Sequence, residues 1–352
     1  MKMQSRILAD ALKRTVYDRN GTIPALSHVL IESTHDGARI TGSNMEMETR
    51  IEVAAEGALS VLIPAQRISS IASMADGDIE ITQSDSGVVI KSSDGRFRLK
   101  TLPADDFPRK PVGEPCACWK MIGADLRIIL TQVAHAMAKA DARFYLNGAL
   151  LAHEDGKTTV VATDGHRLAQ SAVKSHGGDD LAGVILPRDA VIWLARNAPD
   201  GEIQISTDKT SVTVSGEGLS VNLQAVDGRY PDWRRVIPTG ASRASCTVDP
   251  ALARPVLHAA GTMSNEKYLA GRFKFGPGEI QIAAMSDESE YEGACPATDS
   301  DGEAEASYCL EYLFDALRPV NGDAVELVLR GDVLTLTTPE IDGVQVVMGM
   351  LT

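Results

Sequence analysis

The chain has 352 residues, enough for two or three domains. Hydrophobic residues make up 44% and aromatics only 5%, so the expected core is aliphatic, and the absence of any run of about 18 apolar residues argues against a membrane-spanning helix. The net charge of −14 argues against a nucleic-acid partner if taken as a bulk sum, but an acidic exterior around a basic strip gives the same total, so the placement of the 34 basic residues decides.

The first element expected is an amphipathic helix, not a signal peptide: in MKMQSRILADALKRTVYDRN, Leu8, Leu12 and Val16 share a face while Arg6, Lys13, Arg14 and Tyr17 fall elsewhere. Strands follow at His28–Ser33 and Arg50–Glu56. Leu62-Ile63-Pro64 then opens a helix over Ala65–Ala75, and strands are expected at Asp78–Gln83 and Gly87–Ser92. A second amphipathic helix covers Ala124–Ala138, with Leu126, Ile129, Leu130 and Val133 as its stripe. After a strand at Thr158–Ala162, Ile185-Leu186-Pro187 opens a helix over Arg188–Ala198, followed by strands at Glu202–Ser206 and Ser211–Ser215. A third amphipathic helix, Pro250–Gly261, carries Leu252, Val256 and Leu257. Beyond it lie a strand Glu279–Ala284, a helix Leu310–Leu317, and strands Val325–Leu329, Val333–Thr337 and Val344–Met350. The acidic stretch 296–305 reads as an exposed loop or turn.

The order repeats. Pro187 follows Pro64 by 123 residues, and Tyr230-Pro231 follows Phe107-Pro108 by the same interval. The helix at Leu310 begins 123 after Pro187, and the closing strand lies 123 after Val221–Asp227. Each repeat is two helices among short antiparallel strands, an α+β unit present three times. The boundaries fall near 115, in Lys110–Cys118, and near 241, in Pro238–Ser245, giving domains 1–115, 116–241 and 242–352.

The five cysteines, at 116, 118, 246, 295 and 309, form no CxxC pair and no zinc spacing, which fits a reduced, cytoplasmic protein without a metal or other cofactor. Asp287-Glu288-Ser289-Glu290-Tyr291-Glu292 lacks the spacing and glycine of a calcium loop and reads as a solvated edge. Thr163-Asp164-Gly165-His166-Arg167 could suggest a catalytic cluster. No GxSxG elbow or GxxxxGK[ST] loop accompanies it, so an enzyme is not expected. The plainer reading is a tight Asp164-Gly165 turn capped by His166.

Several segments resemble the bacterial DNA polymerase III beta clamp family. They are Thr101–Pro108, Arg143–Gly148, Ala162–Ala169, Asp227–Pro238, Ser264–Tyr268 and Val346–Met350, in order across all three repeats. The resemblance implies three copies of one clamp domain per chain, and two chains joined head to tail in a ring with pseudo-sixfold symmetry and twelve helices lining the hole. It implies a non-enzymatic processivity factor that encircles double-stranded DNA without reading sequence. Its partners would be the DNA polymerase III catalytic subunit, the clamp loader, other polymerases and mismatch-repair proteins, held through short linear peptides carrying Gln and spaced Leu and Phe. The alternative is a divergent clamp-like peptide-binding scaffold, or a paralogue with specialised partners and a reduced DNA role.

By resemblance the peptide pocket comprises Leu146, Thr163, Gly165, His166, Arg167, Leu168, Pro231, Arg235, Val236, Tyr312, Val347, Met348 and Met350. Arg167 and Arg235 would hold polar peptide groups, and Leu168, Val236 and Met350 the aromatic end. DNA-facing candidates are Arg6, Lys13, Arg14, Arg127, Lys139, Tyr145, Arg254 and His258. The dimer interface is expected at Arg67, Phe97 and Leu99 on one side, and at Met263, Asp287, Glu288, Glu290 and Glu292 on the other. Four departures fall in the third repeat. Gly349 stands where proline is common, Cys309 where asparagine is frequent, Leu269-Ala270-Gly271 replaces an Arg-Gly-Val-like stretch, and the Leu351-Thr352 tail lacks a basic residue. Glycine at 349 would loosen the backbone and cost pocket ordering about 0.4–1 kcal/mol.

Overall fold

The computed structural model describes residues 1–19, 23–84, 86–109, 113–265, 269–320, 322–339 and 341–350. Glu266-Lys267-Tyr268 and Leu351-Thr352, singled out above, and Lys110 at the first proposed boundary lie outside the described residues. The order begins β1 Lys2–Gln4, α1 Ser5–Arg14, β2 His28–Thr34, β3 Gly37–Ser43, β4 Met47–Val53, β5 Ser60–Pro64, α2 Ala65–Met74, β6 Asp78–Ser84, β7 Gly87–Ser92, β8 Gly95–Leu99 and β9 Ala117–Ile122. It continues α3 Gly123–Val133, β10 Gly148–Glu154, β11 Lys157–Thr163, β12 Arg167–Lys174, β13 Leu181–Pro187, α4 Arg188–Asn197, β14 Glu202–Thr207, β15 Ser211–Gly216 and β16 Leu219–Gln224. It ends β17 Ala244–Val248, α5 Pro250–Met263, β18 Ala270–Gly276, β19 Glu279–Met285, β20 Glu290–Asp301, β21 Ala304–Cys309, α6 Leu310–Leu317, β22 Val325–Arg330, β23 Val333–Thr338 and β24 Ile341–Met348.

The chain divides into two compact units, one of residues 1–123 and 199–225, the other of 124–198 and 226–352. The first holds a four-stranded sheet, β1-β6-β7-β8, and an eight-stranded sheet, β5-β2-β3-β4-β16-β15-β14-β9. The second holds a twelve-stranded sheet, β13-β10-β11-β12-β24-β23-β22-β17-β20-β19-β18-β21. Every strand pair is antiparallel, and each sheet turns an aliphatic face to the helices, as alternation of buried and exposed residues requires.

Each unit contains one seam where distant stretches of chain pair. In the first, β4 lies beside β16, with Met47 opposite Leu223 and Glu48 opposite Asn222. In the second, β12 lies beside β24, with Arg167 opposite Val347 and Leu168 opposite Val346. The two seams share a further detail: Gln224 N donates to Glu46 O at 2.7 Å, and Met348 N to His166 O at 3.0 Å.

Several expectations need correction. Stretch 296–305 is not a loop. Strands β20 and β21 run through it, because Cys295 and Ala297 point inward while Pro296 and Thr298 point out. Strand β4 starts at Met47 rather than Arg50. Helix α1 ends at Arg14, so Val16 is not part of its stripe. In α5 the buried side is Ala253, Leu257 and Ala260, leaving Leu252 exposed. Helix α3 stops at Val133 and passes into a 3-10 turn, Ala134–Ala136.

Candidate functional site

The site is built around the turn joining β11 to β12. Thr163 Oγ1 accepts from Gly165 N at 3.1 Å and donates to Arg167 O at 2.6 Å. Asp164 Oδ1 accepts from His166 N at 2.9 Å and Arg167 N at 3.1 Å, so the aspartate caps the turn and His166 does not. Gly165 takes φ +93°, a conformation costly for other residues. The first unit repeats this geometry between β3 and β4. Ser43 Oγ accepts from Met45 N at 3.1 Å, and Asn44 Oδ1 from Glu46 N at 3.2 Å and Met47 N at 2.8 Å. A third version joins β19 to β20, where Ser286 Oγ accepts from Ser289 N at 3.1 Å.

Register decides which side chains share the site. Leu168 pairs with Thr163 on one side and Val346 on the other, so these three share one sheet face. On that face Val161, Leu168 and Val346 are buried, and Leu150, Tyr230, Trp233, Ile237, Val333 and Val344 pack against them. Pro231, Arg235 and Val236 are exposed beside this cluster, and Met348, opposite Val333 at the strand end, is 39% exposed. The result is an apolar floor with a polar, adaptable rim, a form suited to an amphipathic peptide. Val347 has the opposite parity and lies in the core between sheet and helices; Val346 occupies the outer face in its stead. Leu146 is buried as well, its carbonyl accepting from Ala138 N at 3.0 Å. Met350 is half-buried, its N–H bonded to Ser307 O at 2.8 Å.

Arg167 also has the inward parity. Its Nε donates to Asp164 Oδ2 at 3.1 Å and its Nη1 to Asp315 Oδ2 at 2.9 Å, and its guanidinium lies 4.3 Å from the Tyr312 ring centroid. With the side chain 7% exposed, Arg167 braces the turn against α6 and offers little surface to a ligand. Arg235 suits that task better: it is fully at the surface, with an ion pair to Asp232 at 3.0 Å. His166 is exposed and stacks on Tyr312 at 6.5 Å. Arg143 supports the turn from outside, donating to both Asp141 oxygens at 3.0 and 2.8 Å and to Asp164 O at 3.2 Å. Those bonds hold the Asp141 carboxyl down at about 2. Asp164 is committed to backbone amides and Arg167, so it forms no catalytic dyad with His166.

The basic candidates separate into two kinds. Arg6, Lys13 and Lys139 are exposed, with Lys13 paired to Asp10 at 3.2 Å; Arg14 is half-buried. Arg127 and Arg254 serve internal purposes. Arg127 Nη1 donates to Ala198 O just past α4. Arg254 donates to Leu317 O at 3.2 Å and to Val320 O, at and beyond the end of α6. Each satisfies carbonyls left orphaned where a helix ends. His258 is exposed beside Phe314, and Tyr145 meets Phe144 edge-on at 5.9 Å.

Of the interface candidates, Phe97 and Leu99 are half-buried on β8, the last strand of its sheet, and Arg67 is exposed on α2. Met263, Asp287, Glu288, Glu290 and Glu292 are exposed in the second unit. No group of His, Cys, Asp or Glu among the described residues is arranged to hold a metal, and no helix among them is long and apolar enough to cross a membrane.

The profile of the DNA polymerase III beta subunit N-terminal domain matches residues 4–111, and that of its central domain matches residues 121–232. The Pseudomonas aeruginosa beta sliding clamp is 31% identical over 323 residues, covering 89% of this chain and 88% of the relative. The Escherichia coli K12 beta sliding clamp is 29% identical over 325 residues, covering 89% and 87%. The crystal structure of the DNA polymerase III subunit beta from Pseudomonas aeruginosa superposes with a TM-score of 0.91 at 29% identity, covering all of both chains. A sliding clamp from Bartonella birtlesii bound to griselimycin gives 0.91 at 25% identity, covering 100% and 99%. The fold and site define a sliding clamp, a DNA polymerase processivity factor and not an enzyme. The chain belongs to the beta sliding clamp family, the beta subunit of DNA polymerase III.

Sequence reasoning did not place Trp233, Tyr230 and Val346 in this apolar cluster, nor Asp315 behind Arg167. The signal was present for Val346: once Leu168 is placed on the outer face, antiparallel pairing selects Val346 and rejects Val347.

Proposed function

We propose that two copies of this chain close head to tail around duplex DNA and recruit polymerases, the clamp loader and mismatch-repair proteins to the pocket between β12, β24 and Tyr230–Val236. The chain would act in the cytoplasm, with three clamp domains spanning 1–115, 116–241 and 242–352. The observation that carries the reading is the duplicated seam. Strand β4 pairs with β16 and β12 with β24, in one relative register. The next strand in that series is β20 and the remaining mate is β8. Glu290, after the turn at Ser286, corresponds to Leu168 and Glu48; Leu99, opposite Val88, corresponds to Leu223 and Val347. Extending the rule sets Leu99 opposite Ser289 of the partner subunit, Arg98 opposite Glu290 of the partner subunit, Phe97 opposite Tyr291 of the partner subunit, and Arg96 opposite Glu292 of the partner subunit. An aromatic pair would then face inward between two Arg–Glu pairs facing water, and two exposed strand edges would be covered.

Exposed Lys and Arg side chains such as Arg6, Lys13 and Lys139 would hold phosphates without reading bases, leaving the ring free to slide. Sedimentation equilibrium tests the assembly. A dimer of about twice 37.5 kDa at micromolar concentration is expected, weakening with salt. A monomer or trimer at low salt contradicts the reading and favours the peptide-binding scaffold.

A further inference from the structure

We propose that Asp315 is a positioning residue for the peptide pocket: through Arg167 it fixes the Asp164–His166 turn against α6. The inference rests on the pocket reading above, but it stands on its own geometry. Asp315 lies in the body of α6 and lines none of the apolar floor. Its Oδ2 receives Arg167 Nη1 at 2.9 Å, and the same guanidinium reaches Asp164 Oδ2 at 3.1 Å and covers the Tyr312 ring at 4.3 Å. The His166 ring stacks on Tyr312 from the same turn. One arginine thus ties the Asp164 turn to Tyr312 and Asp315, both on a helix of the third repeat.

The sister turns reveal what this pair is for. The turn at Asn44 makes the same two amide bonds, with Met47 in the place of Arg167, and the turn at Ser286 makes the second of them, from Ser289 in that place. Closing the turn therefore needs no arginine. A nearly buried ion pair carries a desolvation cost that stability alone seldom repays. It occurs at the one seam of the two where the outer face carries Leu168 and Val346; the other seam has Glu48 and Asn222 in those positions. What the pair adds is location: it sets the distance between the rim of the turn and Tyr312.

Two measurements on the full-length dimer test this. The first is calorimetric titration with a synthetic peptide carrying Gln followed by spaced Leu and Phe. Asp315→Asn should raise Kd at least tenfold with the sedimentation profile unchanged, and Asp315→Glu should recover part of the loss. In an Arg167→Met background, Asp315→Asn should have no further effect. Parent-like affinity for Asp315→Asn, or the same loss in both backgrounds, would overturn the proposal. The second is a crystal structure of Asp315→Asn. The Asp164 cap should persist while His166 separates from Tyr312; an unmoved turn overturns the proposal. If the parent itself fails to bind the peptide, the pocket reading fails, and the crystal structure still decides the role of Asp315.

Discussion

Gly349 lies directly against the backbone of Asp332: a Cβ at position 349 would sit 2.5 Å from the Asp332 carbonyl oxygen and 3.0 Å from its Cβ. The glycine is therefore a steric requirement of the closing strand, not merely a loosened link between Met348 and Met350. Gly349→Ala should cost roughly 1–3 kcal/mol, the usual range for forcing atoms into a packed site. It should also weaken peptide binding by shifting both methionines. Differential scanning fluorimetry and calorimetry would read the two effects; an unchanged melting temperature would show that the strand end has room to give.

Arg127 and Arg254 should behave as structural residues. Replacing either with Ala removes a cation from helix-terminal carbonyls and should cost about 1–2 kcal/mol of stability. The salt dependence of DNA retention should hardly change. Lys13→Glu should do the reverse, leaving the melting curve near that of the parent and lowering the slope of log affinity against log salt by about one. Measuring both quantities on the three variants separates the roles. A slope change for Arg127→Ala would restore it as a DNA contact.

His135 gives the second unit a pH dependence. Its Nε2 lies 3.0 Å from Gln345 Oε1, and burial together with the nearby Arg167 charge pushes the imidazole down to about 4. The unfolded chain binds a proton near 6.5, the folded one only near 4, so the unfolded state holds more protons between these values. Stability should therefore rise with pH from about 4 to 6.5, by at most about 1.4 kcal/mol per unit. Urea titrations across this window should show the slope, and His135→Gln should flatten it. A slope that survives the substitution would assign it to another group.

The seam register predicts a charge reversal. Arg98→Glu alone should shift the dimer to monomer, and Arg98→Glu combined with Glu290→Arg should recover part of the association. Sedimentation velocity at low salt provides the comparison. No recovery in the double variant would mean that these two residues do not face each other.

The six helices and most strands were legible because their signals are local. Pro64 and Pro187 mark helix starts, and the apolar positions of β6 and β14 alternate cleanly. Non-local pairing was harder to read. Val347 and Val346 differ by one position, and only the register against β12 shows which of them faces outward. Arg167 looked available for a ligand because nothing in the sequence links it to Asp315, 148 residues away. In β20 the density of acids concealed an ordinary alternation, with Cys295 and Ala297 inside. The Arg127 and Arg254 caps were invisible for the same reason as the Arg167 brace: each partner carbonyl lies at or just past the end of another helix, far away in the sequence.

The central claim is topological, and retention on DNA circles tests it most directly. The chain, loaded onto nicked plasmid by a clamp loader and freed of unbound protein by gel filtration, should stay with the circles at salt that abolishes simple phosphate contacts. Cutting the plasmid once should release it. Loss from intact circles at the same rate as from linear DNA would contradict a closed ring, and with it the account of this chain as a clamp that encircles the duplex.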